Sequence, residues 1–339
     1  MIPLKRLLLL TGIAAAAGAA IILSTFGWNF MAPAYPGGQR LTRPEKLRAT
    51  VTALAVEIGP RDLFKNNKTR LRKAEDYISA RLKAAGYKAE YQEYAAAGVK
   101  VRNISAIKPG SASPGEIIVI GAHYDTFNNP GADDNASGVA GLLELAEYAS
   151  AKTYGRTLKF IAFVNEEPPF FGGDGMGSAV WTKAAAKKKE NIKAALVLEM
   201  IGYFTEKRLS QRYPPPLGPF MPDRGNFIAQ LSNGSSRKLA ARIDKVFRAA
   251  TELPLRTVSL PALAPDAEYS DHRSFWRAGY PAVMFTDTSL YRTPHYHRPS
   301  DLPDTLNYEY MAAFLDGMKA VTDELAGAED DQGRAKSQR

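Results

Sequence analysis

The sequence contains no cysteine among its 339 residues. This absence excludes disulfide bonds, thiolate metal sites and lipid attachment at an N-terminal cysteine. Any bound metal must therefore use histidine and carboxylate ligands. Histidine is scarce too, with four residues in the chain, so each one can be followed individually.

The sequence also lacks a concentrated basic segment, although its formal net charge is +9. Lysine and arginine are scattered, and no basic repeat alternates with aromatic residues. We therefore expect no nucleic-acid partner, and we interpret the charge as a solvated surface with some attraction to anionic lipid. With 45% hydrophobic residues, the chain can bury a large core as one large domain or two.

A long apolar run lies near the N-terminus, where Lys5 and Arg6 precede an uncharged segment from Leu7 to Phe26. About 20 apolar residues suffice to cross a bilayer, and signal peptides usually have a shorter apolar core of about 7–15 residues. We predict that residues 1–30 form an uncleaved membrane anchor, with a cleaved signal segment as the alternative. Both interpretations place the rest of the chain outside the cytoplasm, either membrane-anchored or secreted or periplasmic.

Residues 31–40 are rich in proline and glycine and are predicted to form a linker, and residues 326–339 a polar tail. Between them, apolar strand patterns alternate with helical ones, which predicts an α/β fold with a mixed sheet and helices on both faces. Ala184 to Ile192 is predicted to be the end of a helix. The proline-rich stretch Thr205–Asn233 is predicted to lack regular structure, as a lid, a pocket wall or a surface excursion.

Polar residues follow three of the predicted strands. The motif GAHYDT places His123 and Asp125 two residues apart at a strand end, so both side chains share one face of extended chain. A carboxylate on the second ring nitrogen is the usual support for a histidine that binds zinc. Asp133 and Asp134 come next, where they could equally cap the helix that follows.

Glu166 and Glu167 follow the apolar run TLKFIAFVN, and adjacent side chains at a strand end point to opposite sides. One of them could thus bind metal while the other faces a metal-bound water. Glu199 lies within an apolar strand and needs a partner, because an unpaired buried carboxylate is costly. With His123, Asp134 and a late histidine, these residues supply the mixed nitrogen and oxygen ligands that suit zinc.

The motifs GAHYDT, GADDNASG, NEEPPFF, LEMIGY and PHYHRPSDLPDTL, in this order, together resemble those of the co-catalytic di-zinc exopeptidases of metallopeptidase family twenty-eight. The resemblance covers roughly Arg43 to Leu325, including IGPR and YSDHRSFW. It implies that residues 41–325 form a di-zinc peptidase domain, a three-layer α/β/α sandwich of the zinc-aminopeptidase type with a mixed, mostly parallel sheet. The expected cofactors are two Zn²⁺ ions.

The resemblance also implies a ligand set. His123 and Glu199 correspond to the ligands of one zinc, Glu167 and His297 to those of the other, and Asp134 to the carboxylate that bridges them. Many family members place Asp where this chain has Glu199. The longer side chain can still bind metal, with a shift of about one methylene.

Three further roles follow from the resemblance. Glu166 corresponds to the general base that activates a zinc-bridging water, and Asp125 to the residue that orients His123. Asp271 matches a position close to the base in related cyclases. The implied activity is removal of N-terminal residues from peptides with a free N-terminus. The alternatives are a single-zinc glutaminyl cyclase, a carboxypeptidase-type enzyme and a catalytically silent binding module.

Overall fold

The computed structural model of the protein describes residues 41–63, 67–213, 221–259 and 268–328. Strands and helices alternate along most of this chain, as the apolar patterns predict. The strands are β1 (Glu90–Ala96), β2 (Val99–Lys108), β3 (Ser113–His123), β4 (Arg156–Phe163), β5 (Asn191–Leu198), β6 (Ile228–Ser232), β7 (Leu255–Val258) and β8 (Ala282–Thr286). The α-helices are α1 (Pro44–Thr52), α2 (Lys68–Ala84), α3 (Gly138–Ser150), α4 (Gly177–Lys187), α5 (Arg237–Ala250), α6 (His272–Arg277) and α7 (Tyr308–Ala326).

The eight strands form one sheet in the order β1-β2-β4-β3-β5-β8-β6-β7. The four central strands, β4, β3, β5 and β8, run parallel. The antiparallel pairs are β1 with β2, β2 with β4 and β6 with β8, and β7 runs parallel to β6. The carboxyl ends of the central strands therefore meet at one edge of the sheet, where open α/β sheets bind their ligands.

Both faces of the sheet are buried. On β3, Ile118 and Ile120 belong to a large core on one face. Ile117 and Val119 belong to a smaller core on the other face. This alternation follows from the two-residue period of a strand. Helices α1, α2, α3, α5 and α7 contribute to the large core, and α4 and α6 to the small one. The predicted three-layer sandwich with a mixed, mostly parallel sheet is confirmed.

Two boundary predictions were wrong. The predicted irregular stretch Thr205–Asn233 contains β6, whose central Gln230 side chain is buried and donates to the Ala240 carbonyl and the Thr257 hydroxyl. The predicted helix end at Ala184–Ile192 is divided between α4 and β5, because Asn191 already pairs with Glu116 of β3.

No helix within the described ranges is both long enough and apolar enough to span a bilayer. The predicted N-terminal anchor, the linker and residues 329–339 of the predicted tail lie outside those ranges.

A buried ion pair joins the two central helices of the large core. The ammonium of Lys319 on α7 lies 2.8 Å from Glu144 Oε1 on α3, and the two side chains are 4% and 11% exposed. We expect Lys319→Met to lower the free energy of unfolding by about 3–5 kcal/mol, because it leaves a buried carboxylate without its partner. Urea denaturation measures this loss, with the free energy of unfolding of each variant calculated from its transition midpoint and the m-value of the unchanged protein.

Arg242→Met is the matched control, because the Arg242–Glu324 pair joins α5 to α7 with side chains 42% and 44% exposed. Breaking this surface pair should cost less than about 1 kcal/mol. Adding Glu144→Leu to Lys319→Met should recover part of the loss. Equal losses in the buried and the exposed variants would contradict the prediction.

Candidate metal centre

The carboxyl end of β3 supplies the first histidine. His123 is fully buried, and its Nδ1 lies 3.5 Å from Asp125 Oδ1. The same Asp125 carboxylate accepts the backbone N–H groups of Glu166, at 3.1 Å, and Glu167, at 3.2 Å. Asp125 therefore contacts the ring of His123 and ties the end of β3 to the segment that follows β4.

Asp134 lies between two histidines that are 174 residues apart in the sequence (297 − 123). Its Oδ1 is 3.3 Å from His123 Nε2, and its Oδ2 is 3.3 Å from His297 Nε2. Glu199 Oε2 completes the first group at 3.3 Å from His123 Nε2. Glu167 Oε2 completes the second at 3.1 Å from His297 Nε2. The two groups thus share a single carboxylate.

The ligand atoms have the spacing that a metal would require. Ligands at about 2.0–2.1 Å from a tetrahedral ion lie about 3.3 Å from one another. In each group the candidate ligand atoms all lie within 4.8 Å of one another. Oε1 of Glu167 is buried and has no hydrogen-bond partner. Such an orphaned atom is costly, and a bound cation would satisfy it. The residues therefore fit two metal ions.

The buried charge of the site is mostly negative. Burial is the main effect that raises the pKa of Glu167, to about 8, with a further contribution from the Asp134 carboxylate. Burial by itself lowers the pKa of His297, yet contacts with Asp134 and Glu167 raise it to about 10. Burial raises the pKa of Glu166 well above its ordinary value. Cations bound here would offset the repulsion between the carboxylates.

Glu199 reaches the first group in spite of its extra methylene. Its Oε2 accepts a 2.6 Å hydrogen bond from the Ser270 hydroxyl, which fixes the carboxylate against His123. Asp271, the next residue, is fully buried at the start of α6, where burial raises its pKa to about 7. Ser270 was not predicted as a site residue, although it lies within the motif YSDHRSFW.

Glu166 stands apart from both ligand groups. Its Oε2 is 4.0 Å from His123 Nε2, and its side chain is 9% exposed. Glu167 thus belongs to the second group, and Glu166 lies beside the first group without belonging to it.

The neighbouring Asp133 and the other two histidines, His272 and His295, belong to neither ligand group. Asp133 Oδ1 accepts the N–H of Gly202 rather than facing a histidine. The ring of His295 contacts the Ser300 hydroxyl, 3.0 Å away, and the ring of His272 packs against Trp276. Two of the four histidines thus join the site.

Asn135 fixes the loop that carries Asp134, and sequence reasoning missed this role. Its amide donates to the Leu198 carbonyl, and its Oδ1 accepts the N–H groups of Gly138 and Met200. A Cβ at Gly138 would lie 2.6 Å from the Leu198 carbonyl oxygen, so only glycine lets the start of α3 approach β5 this closely.

Comparison with known proteins agrees with this geometry. The profile of Peptidase family M28 matches residues 103–322. The Escherichia coli uncharacterized protein YfbL is 36% identical over 295 residues, covering 84% of this chain and 89% of that protein. Leucine aminopeptidase 1 of Trichophyton equinum is 27% identical over 327 residues, covering 86% and 79%.

Solved structures of two different kinds of enzyme share the fold of this chain. A zinc aminopeptidase from Bacillus subtilis superposes with a TM-score of 0.65 at 15% identity, covering 85% of this chain and 96% of its own. A glutaminyl cyclase from Bacteroides thetaiotaomicron superposes with a TM-score of 0.61 at 19% identity, covering 84% and 98%. At these identities the likeness establishes the fold, and the chemistry must be argued from the site.

Metal binding should displace protons from the site. Burial lowers the pKa of His297, but contacts with two carboxylates outweigh it and raise that pKa to about 10, and burial raises the pKa of Glu167 to about 8. This contacting pair therefore retains at least one proton at pH 7 in the metal-free protein. That proton must leave before both residues can bind a metal, so affinity should rise with pH and binding should release protons. Titration calorimetry of chelator-stripped protein in buffers of different ionisation enthalpy counts them, and we expect at least one at pH 7.

His295→Gln is the control for this measurement, because His295 lies outside both groups and contacts Ser300. It should leave the proton count unchanged. Metal affinity that is independent of pH between 6 and 8 would contradict the expected protonation.

Proposed function

Because this chain belongs to peptidase family M28, we propose that it is a zinc-dependent aminopeptidase that removes N-terminal residues from peptides. The observation that carries this proposal is the pair of ligand groups that share Asp134, with the Glu166 carboxylate beside them and outside both. A metallopeptidase needs a separate base next to its metal ligands, and this arrangement supplies one.

In the proposed mechanism, His123, Asp134 and Glu199 hold one zinc, and Glu167 and His297 hold the other together with Asp134. When bound, zinc lowers the pKa of a coordinated water and polarises the carbonyl of the substrate. Glu166 accepts the proton of the attacking water and returns it to the leaving amine. Burial raises the pKa of Glu166 above its ordinary value, which makes its carboxylate a stronger base towards that water.

The surroundings of the site favour a peptide with a free, positively charged N-terminus. Five carboxylates lie at the site, those of Asp125, Asp134, Glu166, Glu167 and Glu199. One negative charge would therefore remain after two Zn²⁺ ions had bound, and it would attract a cationic end group. Phe127, 43% exposed, packs its ring 4.7 Å from that of His297, and Tyr269 is 53% exposed next to Ser270. These rings offer apolar surface to a substrate side chain.

The alternatives have less support. A single-zinc cyclase does not need the complete second group that Glu167 and His297 form with Asp134. A carboxypeptidase needs a cation for the terminal carboxylate, but Arg212 donates to the Leu290 carbonyl, and Arg292 is buried and donates to Gln211. A silent binding module would tolerate the loss of ligands, whereas both groups here are complete.

The proposed activity is tested with matched substrates. We expect the full chain to hydrolyse leucyl-anilide, to lose this activity on chelation and to regain it with added zinc. N-acetylation of the substrate should abolish turnover. Cyclisation of an N-terminal glutaminyl peptide without anilide hydrolysis would favour the cyclase, release of a C-terminal residue would favour the carboxypeptidase, and zinc binding without turnover would favour the binding module.

Glu166→Gln separates the base from the ligands. We expect it to lower kcat by about 10²–10⁴-fold while both zinc ions remain bound, because Glu166 belongs to neither ligand group. Metal analysis after gel filtration, combined with steady-state kinetics, measures the two effects.

Glu167→Gln is the matched comparison and should lose the second zinc as well as activity, because Glu167 is a member of that group. Near-unchanged turnover in Glu166→Gln, or metal loss equal to that of Glu167→Gln, would contradict the assignment of the base.

We also propose that the catalytic domain lies outside the cytoplasm, tethered by residues 1–30. The support is the sequence itself, in which Lys5 and Arg6 precede the apolar run from Leu7 to Phe26. A positively charged pair before such a run favours a cytoplasmic N-terminus, which leaves the rest of the chain on the other side of the membrane. Fusing reporters that are active on only one side of the membrane to the C-terminus of the full chain tests this location. A reporter active only in the cytoplasm would overturn it.

A further inference from the structure

Asp301 is a buried residue that contacts the loop of Asp134 and lies in the same turn as His297, two members of the second ligand group. It follows His297 by four residues and is 1% exposed. Its Oδ1 accepts the N–H of Asp133 at 2.9 Å, and its Oδ2 accepts the N–H of Asp134 at 3.2 Å. Its backbone carbonyl accepts the N–H of Ala132 at 3.3 Å. One residue therefore satisfies three successive N–H groups of the loop that presents the shared carboxylate.

This loop has no acceptor of its own for the N–H groups of Ala132, Asp133 and Asp134, which bond to Asp301 instead. Residues Ala132–Ser137 form a short π-helical turn, inside which Asp134 (φ −105°, ψ 86°) and Asn135 (φ −133°, ψ 43°) leave the helical region. All the residues of the turn are buried, and a buried N–H without an acceptor costs free energy. The first N–H groups of a helical turn have no acceptor within that turn, and the Asp301 carboxylate supplies acceptors for two of them.

Arg61 holds the other side of the same loop. Its guanidinium is fully buried and donates to the carbonyls of Tyr124, Pro130 and Gly131 at 2.9, 2.7 and 3.0 Å. A negative group thus binds the N–H groups of the loop, and a positive group binds its carbonyls. Charge-assisted hydrogen bonds of this kind are stronger than neutral ones.

The segment that bears Asp301 also bears His297. The N–H of Asp301 bonds to the Arg298 carbonyl, and the N–H of Arg298 bonds to the His295 carbonyl, so residues 295–301 form a closed turn. Any movement of Asp301 relative to Asp134 therefore changes the 3.3 Å separation between His297 Nε2 and Asp134 Oδ2. Asp301 belongs to neither of the two candidate ligand groups.

We propose that Asp301 is a positioning residue that sets the distance between Asp134 and His297 and thereby the affinity of the second metal. This inference deepens the proposed function and rests on it, since it presumes that two metals bind. The first group shares Asp134 but depends less on Asp301, because its other two members, His123 and Glu199, are held from β3 and by Ser270.

Asp301→Asn tests the proposal, because it is isosteric and presents an amide donor to one of the two N–H groups. We expect the affinity for the second zinc to fall by about 10–100-fold, with a much smaller change for the first. Competition with a chromophoric chelator resolves the two affinities without any activity measurement. Asp301→Glu, which keeps both oxygens, should weaken the second zinc less.

Asp304→Asn is the matched control. Asp304 lies in the same loop, and its carboxylate pairs with Arg48 at the surface, with a side chain 86% exposed. It should leave both zinc affinities unchanged. Thermal unfolding of the metal-free proteins measures any general loss of stability, and the zinc affinities show whether the second metal is weakened selectively. A positioning role predicts that selective weakening, whereas a merely structural role does not. If Asp301→Asn does not fold, the same comparison is made with Asp301→Glu.

Unchanged zinc affinities in the Asp301 variants would overturn the inference. Equal weakening of both metals, or a loss of thermal stability alone, would also overturn it by showing a general structural role. In each of these outcomes the unaltered protein still binds two zinc ions and the proposed function stands. An unaltered protein that binds fewer than two would overturn the two-metal proposal, and this inference with it.

Discussion

The structure depends on one electrostatic constraint, the burial of several carboxylates around two imidazoles at the carboxyl edge of the sheet. Asp134 is central to this arrangement, because each of its oxygens faces a different histidine at 3.3 Å. Like charges brought together in a poorly solvated place repel one another unless cations or protons intervene. Burial is the main cause of the raised pKa values of Glu166 and Glu167, and neighbouring carboxylates add to it.

The fold holds these carboxylates in place through backbone segments that hydrogen bonds tie to one another. Three of the predicted ligands stand at or just beyond the ends of central strands, and the shared Asp134 stands on the turn before α3. Asp125, Ser270 and Asn135 then fix these segments to one another by hydrogen bonds to backbone or carboxylate groups. A donor set held in this way is preorganised, which is what both metal binding and catalysis demand.

The sequence failed where local signals conflicted with tertiary pairing. Ile228–Ser232 is short, carries a polar Gln230 and follows a proline-rich stretch, so nothing local distinguishes it from loop. Its place in the sheet comes from pairing with β7 and β8. Likewise α4 begins at Gly177, a poor helix former, where a side chain would collide with the Val164 carbonyl. Packing against β4 overrides propensity there.

The sequence by itself determined the α/β class, the central strands and the identity of the residues that meet at their ends. It could do so because apolar periodicity and the position of polar residues after each strand are local properties. Only the tertiary structure decided that Ser270 holds Glu199 and that Asp301 and Arg61 hold the loop that carries Asp134. Those hydrogen bonds join residues 63 to 169 positions apart (124 − 61; 301 − 132), and no local pattern encodes a distance between atoms so remote in the chain.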